Sequence, residues 1–257
     1  MKHIVMFSGG IGSWGAARAV AARHGTEHLT LLFSDTLIED EDLYRFIDQA
    51  AASIGGRFVK IADGRTPWEV FKAERFIGNS LVDPCSKILK RNLMRKWLED
   101  NCDPRDTTVY LGIDWTEIHR IERASERWSP WNVQAPLCEK PYYSKSELLA
   151  QLNEAGIEPP RLYSMGFPHN NCGGFCVKAG QAHFRRLLKE FPERYLEHER
   201  KEQELREFLN RDVSIMKDRT GGKTKPLSMR QFRERLLVSD GSDFDAFEWG
   251  GCGCAVD

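Results

Sequence analysis

Short apolar-rich runs alternate with helix-period patterns over the first two-thirds of the chain. Residues 3–7 (HIVMF), 28–34 (HLTLLFS), 57–62 (RFVKIA) and 107–112 (TTVYLG) read as four strands. Between them, the Ala-rich stretch from Ile11 to about Arg23 predicts a helix. So do 39–54, with Leu43, Phe46, Ile47 and Ala50 on one face, and 86–100. Strands separated by helices predict parallel βαβ units, hence an α/β fold with a doubly wound, mostly parallel sheet covered on both faces.

After Pro136 the pattern changes. Ser144 with Glu147 three residues on predicts a capping box and a helix to about Glu154, followed by the Gly/Pro-rich loop IEPPRLYSMGFPHNNCGGFC. Residues 178–210 read as highly charged helix interrupted near Pro192, its Arg/Lys and Glu alternating as exposed i,i+3 and i,i+4 pairs. Phe184, Leu187, Leu188, Phe191, Tyr195 and Leu205 are its packing positions. The boundary falls near 165: an α/β domain over 1–165, then a cysteine-bearing helical extension over 166–257.

Composition changes this picture little. The 257 residues carry 37 basic and 38 acidic side chains and are 41% hydrophobic, an ordinary globular make-up. No apolar run approaches the ~20 residues that span a bilayer, and MKHIVMF is short for a signal-peptide core. A cytoplasmic protein with reduced thiols and no membrane partner is expected. The oligomeric state is left open. Seven cysteines are then unusual, because disulfides are not their default use in such a compartment.

Ser8-Gly9-Gly10-Ile11-Gly12-Ser13 lies between the first strand and the first helix. Glycines there let backbone N–H groups point into one cavity, and the helix N-terminus adds partial positive charge. Ser8 and Ser13 supply hydroxyl donors. Such a nest suits a phosphate or pyrophosphate. The alternative is a plain glycine turn. It is neither GxGxxG nor a Walker loop, since no Lys-Ser/Thr follows.

SGGIGS resembles the SGGxxS pyrophosphate loop of the adenine nucleotide α-hydrolase superfamily, the PP-loop or N-type ATP pyrophosphatases. The order of later features resembles its phosphoadenylylsulfate-reductase-like branch. Asp35-Thr36 resembles the Asp-Thr that helps hold the nucleotide. Gly112-Ile113 with Glu117 partly resembles a Gly-x-Arg-x-x-Glu loop, with Asp114 where the family has Arg, so that anion contact is missing or moved to Arg120 or Arg123. Pro136-Leu137, the Ser144 helix and IEPPRLYSMGF resemble the stretch leading to a terminal cysteine motif. The likeness spans about residues 3–180.

The resemblance implies an enzyme that binds ATP with Mg²⁺, cleaves between α- and β-phosphate and releases pyrophosphate. It would adenylylate an acceptor for sulfur or nitrogen insertion, a nucleobase being one candidate, with a sulfur donor protein as a candidate partner. Ser8, Gly9, Gly10, Gly12, Ser13, Asp35, Thr36, Gly112 and Glu117 would hold the nucleotide. Lys87, Lys90 and Arg91, directly behind Cys85, are candidate cations for the departing pyrophosphate, Lys87, Lys90 and Cys85 being the catalytic set. The alternatives are a sulfonucleotide (PAPS or APS) reductase-like enzyme, or a nucleotide-binding module with structural zinc. Reduction is disfavoured because no Glu-Cys-Gly-(Leu/Ile)-His motif closes the chain.

Cys172 and Cys176 in NNCGGFC, and Cys252 and Cys254 in GGCGC, are two Gly-rich close pairs, a pattern for metal thiolates. Iron–sulfur members of the resembled branch have a Cys-Cys pair well before a Cys-x-x-Cys. Here one Cys, Cys85, precedes Cys172 by 87 residues, and Ser86 follows it. A [4Fe–4S] cluster on Cys85, Cys172, Cys176 and one of Cys252 or Cys254 is one expectation. A Cys₄ Zn²⁺ site from the two close pairs is the other. Cys102 and Cys138 read as ordinary small side chains, and His169 as a loop residue.

The near-zero net charge conceals one basic stretch. Residues 213–235 carry Lys217, Arg219, Lys223, Lys225, Arg230, Arg233 and Arg235 against Asp218 and Glu234. It reads as a flexible positive element: an RNA or DNA contact, a solvated loop, or a lid over the nucleotide. No interleaved aromatic pattern marks it as RNA-binding.

Overall fold

A computed structural model describes residues 1–219, 223–239 and 249–250. Five parallel strands form one sheet: β1 (Lys2–Met6), β2 (Leu29–Asp35), β3 (Arg57–Ala62), β4 (Thr107–Tyr110) and β5 (Asn132–Gln134). Their spatial order is β3-β2-β1-β4-β5, with Ile4 opposite Thr30 on one side and Val109 on the other. The α/β class and parallel sheet follow the sequence reading. β5 is an addition, too short and polar to show as an apolar run.

Helices cover both faces. Val5 of β1 and Phe7 just after it point into a core shared with α1 (Ile11–His24) and α2 (Glu41–Ile54), while Ile4 and Met6 point into the opposite one. All seven residues of β2 are buried, as a strand between two helical layers requires. Next along the chain come α3 (Pro67–Ala73), the single turn α4 (Pro84–Ser86), a π-helical stretch Lys87–Asn92, and α5 (Leu93–Asn101). α5 and α6 (Ile121–Trp128) close the second face with Met94, Leu98 and Trp128. α7 (Lys145–Glu154), capped by the predicted Ser144–Glu147 box, joins the first through Leu148 and Leu152.

A third core gathers the rest. α8 (Arg161–Ser164) supplies Leu162, α9 (Gln181–Glu190) Phe184 and Leu187, and α10 (Pro192–Leu209) Tyr195 and Leu205, against Trp68 and Phe71 of α3. Leu188 and Phe191 sit at its edge.

The basic stretch departs from expectation. It forms an antiparallel hairpin, β6 (Met216–Asp218) with β7 (Lys225–Leu227), followed by α11 (Met229–Val238) with its own Ser228–Gln231 capping box. The order comes from buried Glu202 on α10, whose carboxyl accepts the Ile215 and Met229 N–H groups at 3.1 and 2.6 Å. Arg233 is held bidentately by Glu199, and Arg235 by Asp218 at 2.8 Å. Residues 220–222 lie outside the described residues. Among the described residues no helix is long and apolar enough to cross a membrane.

Candidate functional site

The chain runs outward from β1 to β3 and returns to β4, so the carboxyl ends of β1 and β4 flank the crossover where open α/β sheets bind ligands. The Ser8–Ser13 loop leaves β1 at that point. Its backbone meets the backbone of Gly112, which follows β4. A Cβ on Gly12 would stand 2.7 Å from the Gly112 carbonyl oxygen, and one on Gly112 would stand 2.6 Å from Ser13 N. Neither contact can be relieved by a side-chain rotation, so both positions require glycine.

The Ser13 hydroxyl donates to Gly10 O at 2.8 Å, and Ser8 Oγ lies 3.4 Å from it. The N-cap of α1 is Gly10, which has no side chain to cap the helix. The Ile11 N–H instead donates to the Tyr163 hydroxyl at 3.2 Å. Desolvation pushes the Tyr163 pKa up to about 12, so it remains a neutral phenol. A helix start with glycine at its N-cap, beside a tight glycine loop, is an arrangement that suits phosphate groups.

Asp35 ends β2 and is buried. Burial disfavours its ionised form, but Lys60 at 2.7 Å, the Leu37 N–H and the Tyr44 hydroxyl outweigh that and lower its pKa. It is not a helix cap; Asp40 caps α2. Thr36 donates to Glu39 at 2.9 Å, and Glu39 also faces the buried Lys90 ammonium at 3.6 Å.

Three predicted cysteines come together. Cys85, Cys172 and Cys176 line one small cavity of about 20 Å³ with Thr36, Lys90 and Lys178. A 3₁₀ turn, Asn171–Gly174, delivers Cys172, and the chain takes positive φ at Cys172, Gly173 and Gly174 in succession. A Cβ on Gly173 would meet Ile38 O at 2.7 Å, which is how the turn can lie so close to the β2 exit. The Cys172 N–H donates to Glu39 Oε2 at 2.5 Å, and Asn170 Nδ2 donates to Gly9 O at 2.8 Å. The cysteine turn therefore docks on both the glycine loop and the Asp35–Glu39 segment.

Among the described residues no group of three or more His, Cys, Asp or Glu is arranged to hold a metal ion. Cys252 and Cys254 lie outside the described residues. The chain at Trp249–Gly250 nevertheless pairs with Ala179–Gly180, three positions after Cys176.

No protein-family model and no curated protein matches the chain. Among solved structures it is similar to the phosphoadenylyl-sulfate (PAPS) reductase from Candida auris in a phosphate complex, at 15% identity and a TM-score of 0.44. That match covers 65% of this chain and 79% of the other.

The remaining predicted residues divide. Lys90 and Thr36 line the cysteine cavity, whereas Lys87 is exposed on the π-helical stretch. Arg91 turns back to Asp83 and Ser86. Glu117 pairs with Arg120 at 2.5 Å, and Asp114 caps the turn between them and Gly112 by accepting from Thr116. Cys102 and Cys138 are half-buried, and burial pushes both thiols up, keeping them protonated.

Several site residues carry no sequence signal. Asn170, Glu39 and Tyr163 are brought in by folding alone. Lys145, at the first turn of α7, places its ammonium 4.1 Å from the Tyr163 ring centre and donates to Pro168 O at 2.6 Å. Desolvation lowers its pKa, although the residue is exposed overall, and neither partner is an anion. Its one visible mark was its place after the Ser144 cap.

Proposed function

We propose that this chain is a PP-loop type enzyme that binds ATP with Mg²⁺ on the Ser8–Ser13 loop, cleaves between α- and β-phosphate, and adenylylates an acceptor for sulfur or nitrogen insertion. The observation that carries the reading is the double docking of the cysteine turn, Asn170 on Gly9 and Cys172 on Glu39. It puts a thiol-lined cavity next to a phosphate-type loop, the two chemistries such a reaction must couple.

The loop N–H groups and the α1 N-terminus would carry charge on the departing pyrophosphate, with Lys145 near Tyr163 as a further cation. Mg²⁺ would share that charge. Asp35, kept ionised by Lys60, is available to a ribose hydroxyl or to the metal's water shell.

A thiolate donor set of Cys85, Cys172 and Cys176, completed by Cys252 or Cys254, suits a [4Fe–4S] cluster, with Zn²⁺ as the alternative. Held by only three of these thiolates, a cluster would leave one iron open to carry sulfide; held by four, it would leave none. The fit rests on the donor chemistry: three thiols border one cavity, and a fourth must come from beyond Gly250.

The test is pyrophosphate release from ATP by anaerobically purified protein, with RNA, DNA or small acceptors added in turn. Acceptor-dependent release that disappears in Ser8→Ala/Ser13→Ala protein is expected. Unchanged ATP binding by that variant would overturn the assignment of the loop.

A further inference from the structure

A groove of about 400 Å³ opens between the end of α3 and the β6–β7 hairpin, well outside the nucleotide loop. Four cations from three separate chain segments line it: Arg75, Arg211, Lys217 and Lys225. The acid on its wall, Asp212, is already paired with Arg206 at 2.5 Å. Phe76, 40% exposed, adds an aromatic face beside the charges.

Of the cations in the basic 213–235 stretch, the groove takes only Lys217 and Lys225. Arg233 and Arg235 are neutralised by Glu199 and Asp218, whereas Lys217 and Lys225, on neighbouring rungs of the hairpin opposite Pro226 and Asp218, line the groove together with Arg75 and Arg211. Arg75 has φ of +50°, a conformation non-glycine residues rarely adopt and one that collects at functional positions. The chain reverses there, with the Phe76 N–H returning to Phe71 O.

The groove wall also packs close to the lining of the thiol cavity. Ile77 forms part of its wall, and the next residue, Gly78, packs so closely on Val177 that a Cβ would stand 3.1 Å from that side chain. Val177 lines the cysteine cavity beside Cys176.

We propose that this groove binds the phosphodiester backbone of a single-stranded nucleic acid, with Phe76 as a stacking surface for one base. A concave, cationic track with an aromatic on its wall is how single strands are held without sequence preference. The lone acid is spent on Arg206, so the site carries a net positive charge matched to a polyanion. The proposal extends the functional reading by supplying a polymeric acceptor beside the thiol cavity, but its measurement needs no ATP.

The experiment is fluorescence anisotropy of the full chain with fluorescein-labelled single-stranded RNA and DNA of about 20 nucleotides, in about 50 mM salt without nucleotide. Wild-type protein is expected to bind with a strong salt dependence. Arg75→Ala/Lys217→Ala/Lys225→Ala should bind about tenfold or more weaker, with the log–log salt slope shallower by about 2. Lys96→Ala/Lys189→Ala, exposed elsewhere, should bind as wild type. Lys225→Glu, a single exposed change, guards against misfolding of the triple variant and should also weaken binding.

Absent wild-type binding, unaltered binding by both groove variants, or an equal loss in the control pair would overturn the proposal. Tighter binding of polyglutamate than of either oligonucleotide would overturn it too, in favour of an acidic protein partner. Oligonucleotide binding without pyrophosphate release would count against the ATP reading alone, and the converse against the groove alone.

Discussion

The side-chain amide of Asn170 donates to the carbonyl of Gly9 at 2.8 Å across a chain separation of 161 residues. Asn170 is 1% exposed, so this bond is made away from water. It pins the cysteine turn to the loop expected to hold phosphate. Asn170→Ala would leave the Gly9 carbonyl without this donor and should cost about 1–3 kcal/mol of stability. ATP affinity, by titration calorimetry, should fall with it. Wild-type affinity and stability in the variant would show that the loop holds its shape unaided.

Gly12 and Gly112 touch backbone to backbone, so Gly12→Ala should be severe. A midpoint shift in urea denaturation corresponding to more than about 2 kcal/mol is expected. Gly12→Ala/Gly112→Ala should cost less than the two single losses added, because both disturb one contact. Gly25 makes a useful contrast. Nothing stands within 4 Å of a Cβ there, and only its φ of +74° opposes substitution, so Gly25→Ala should cost about 1 kcal/mol.

Glu202 should make the protein less stable as pH rises. Desolvation raises its pKa from 4.5 to about 7 in the folded state, despite the two N–H donors. The folded protein therefore binds the extra proton between those values, and this contribution, whole below about 4.5, is lost as pH climbs through 7. The span is on the order of 3 kcal/mol at most. Glu202→Gln removes the titration but keeps an acceptor for only one of the two backbone N–H groups, so it should lower stability throughout and flatten the dependence of thermal melting between pH 5 and 8, as about the range to scan. An unchanged slope would mean that another group carries it.

His183 should act in the opposite sense. It is fully buried with Nε2 against Gly174 O at 2.8 Å, and desolvation lowers its pKa to about 4. Stability from this group is complete above 6.5 and is lost as pH falls toward 4, when the imidazole charges in an apolar setting. His183→Gln should lessen acid sensitivity in melts between those pH values. Steeper acid loss in the variant would contradict the assignment.

The strands and helices of the sheet were legible because each core face imposes its own period. Val5 and Phe7 against Ile4 and Met6, or Leu43, Phe46 and Ile47 on α2, are local patterns that burial on both sides of a sheet writes into the chain. The glycine loop was legible too, since tight turns leave few alternatives to glycine. The polar, three-residue β5 leaves no such trace. The 213–235 stretch looked like a free cation string because the groups that order it, Glu199 pairing Arg233 and Glu202 accepting the Ile215 and Met229 N–H groups, sit on α10 and are invisible in a local window.

By itself the sequence determined the α/β class, the Ser8–Ser13 loop, and which cysteines carry a pattern, because each depends on neighbours a few residues away. Tertiary structure alone decided that Cys85 and Cys172 share a cavity, that Asp35 answers to Lys60, and that Asn170 and Lys145 belong with the glycine loop. It likewise divided the basic residues into those held by Glu199 and Asp218 and those lining a groove with Arg75. A contact between residues many positions apart depends on where the sheet order and helix packing carry each segment, and no local spacing encodes that.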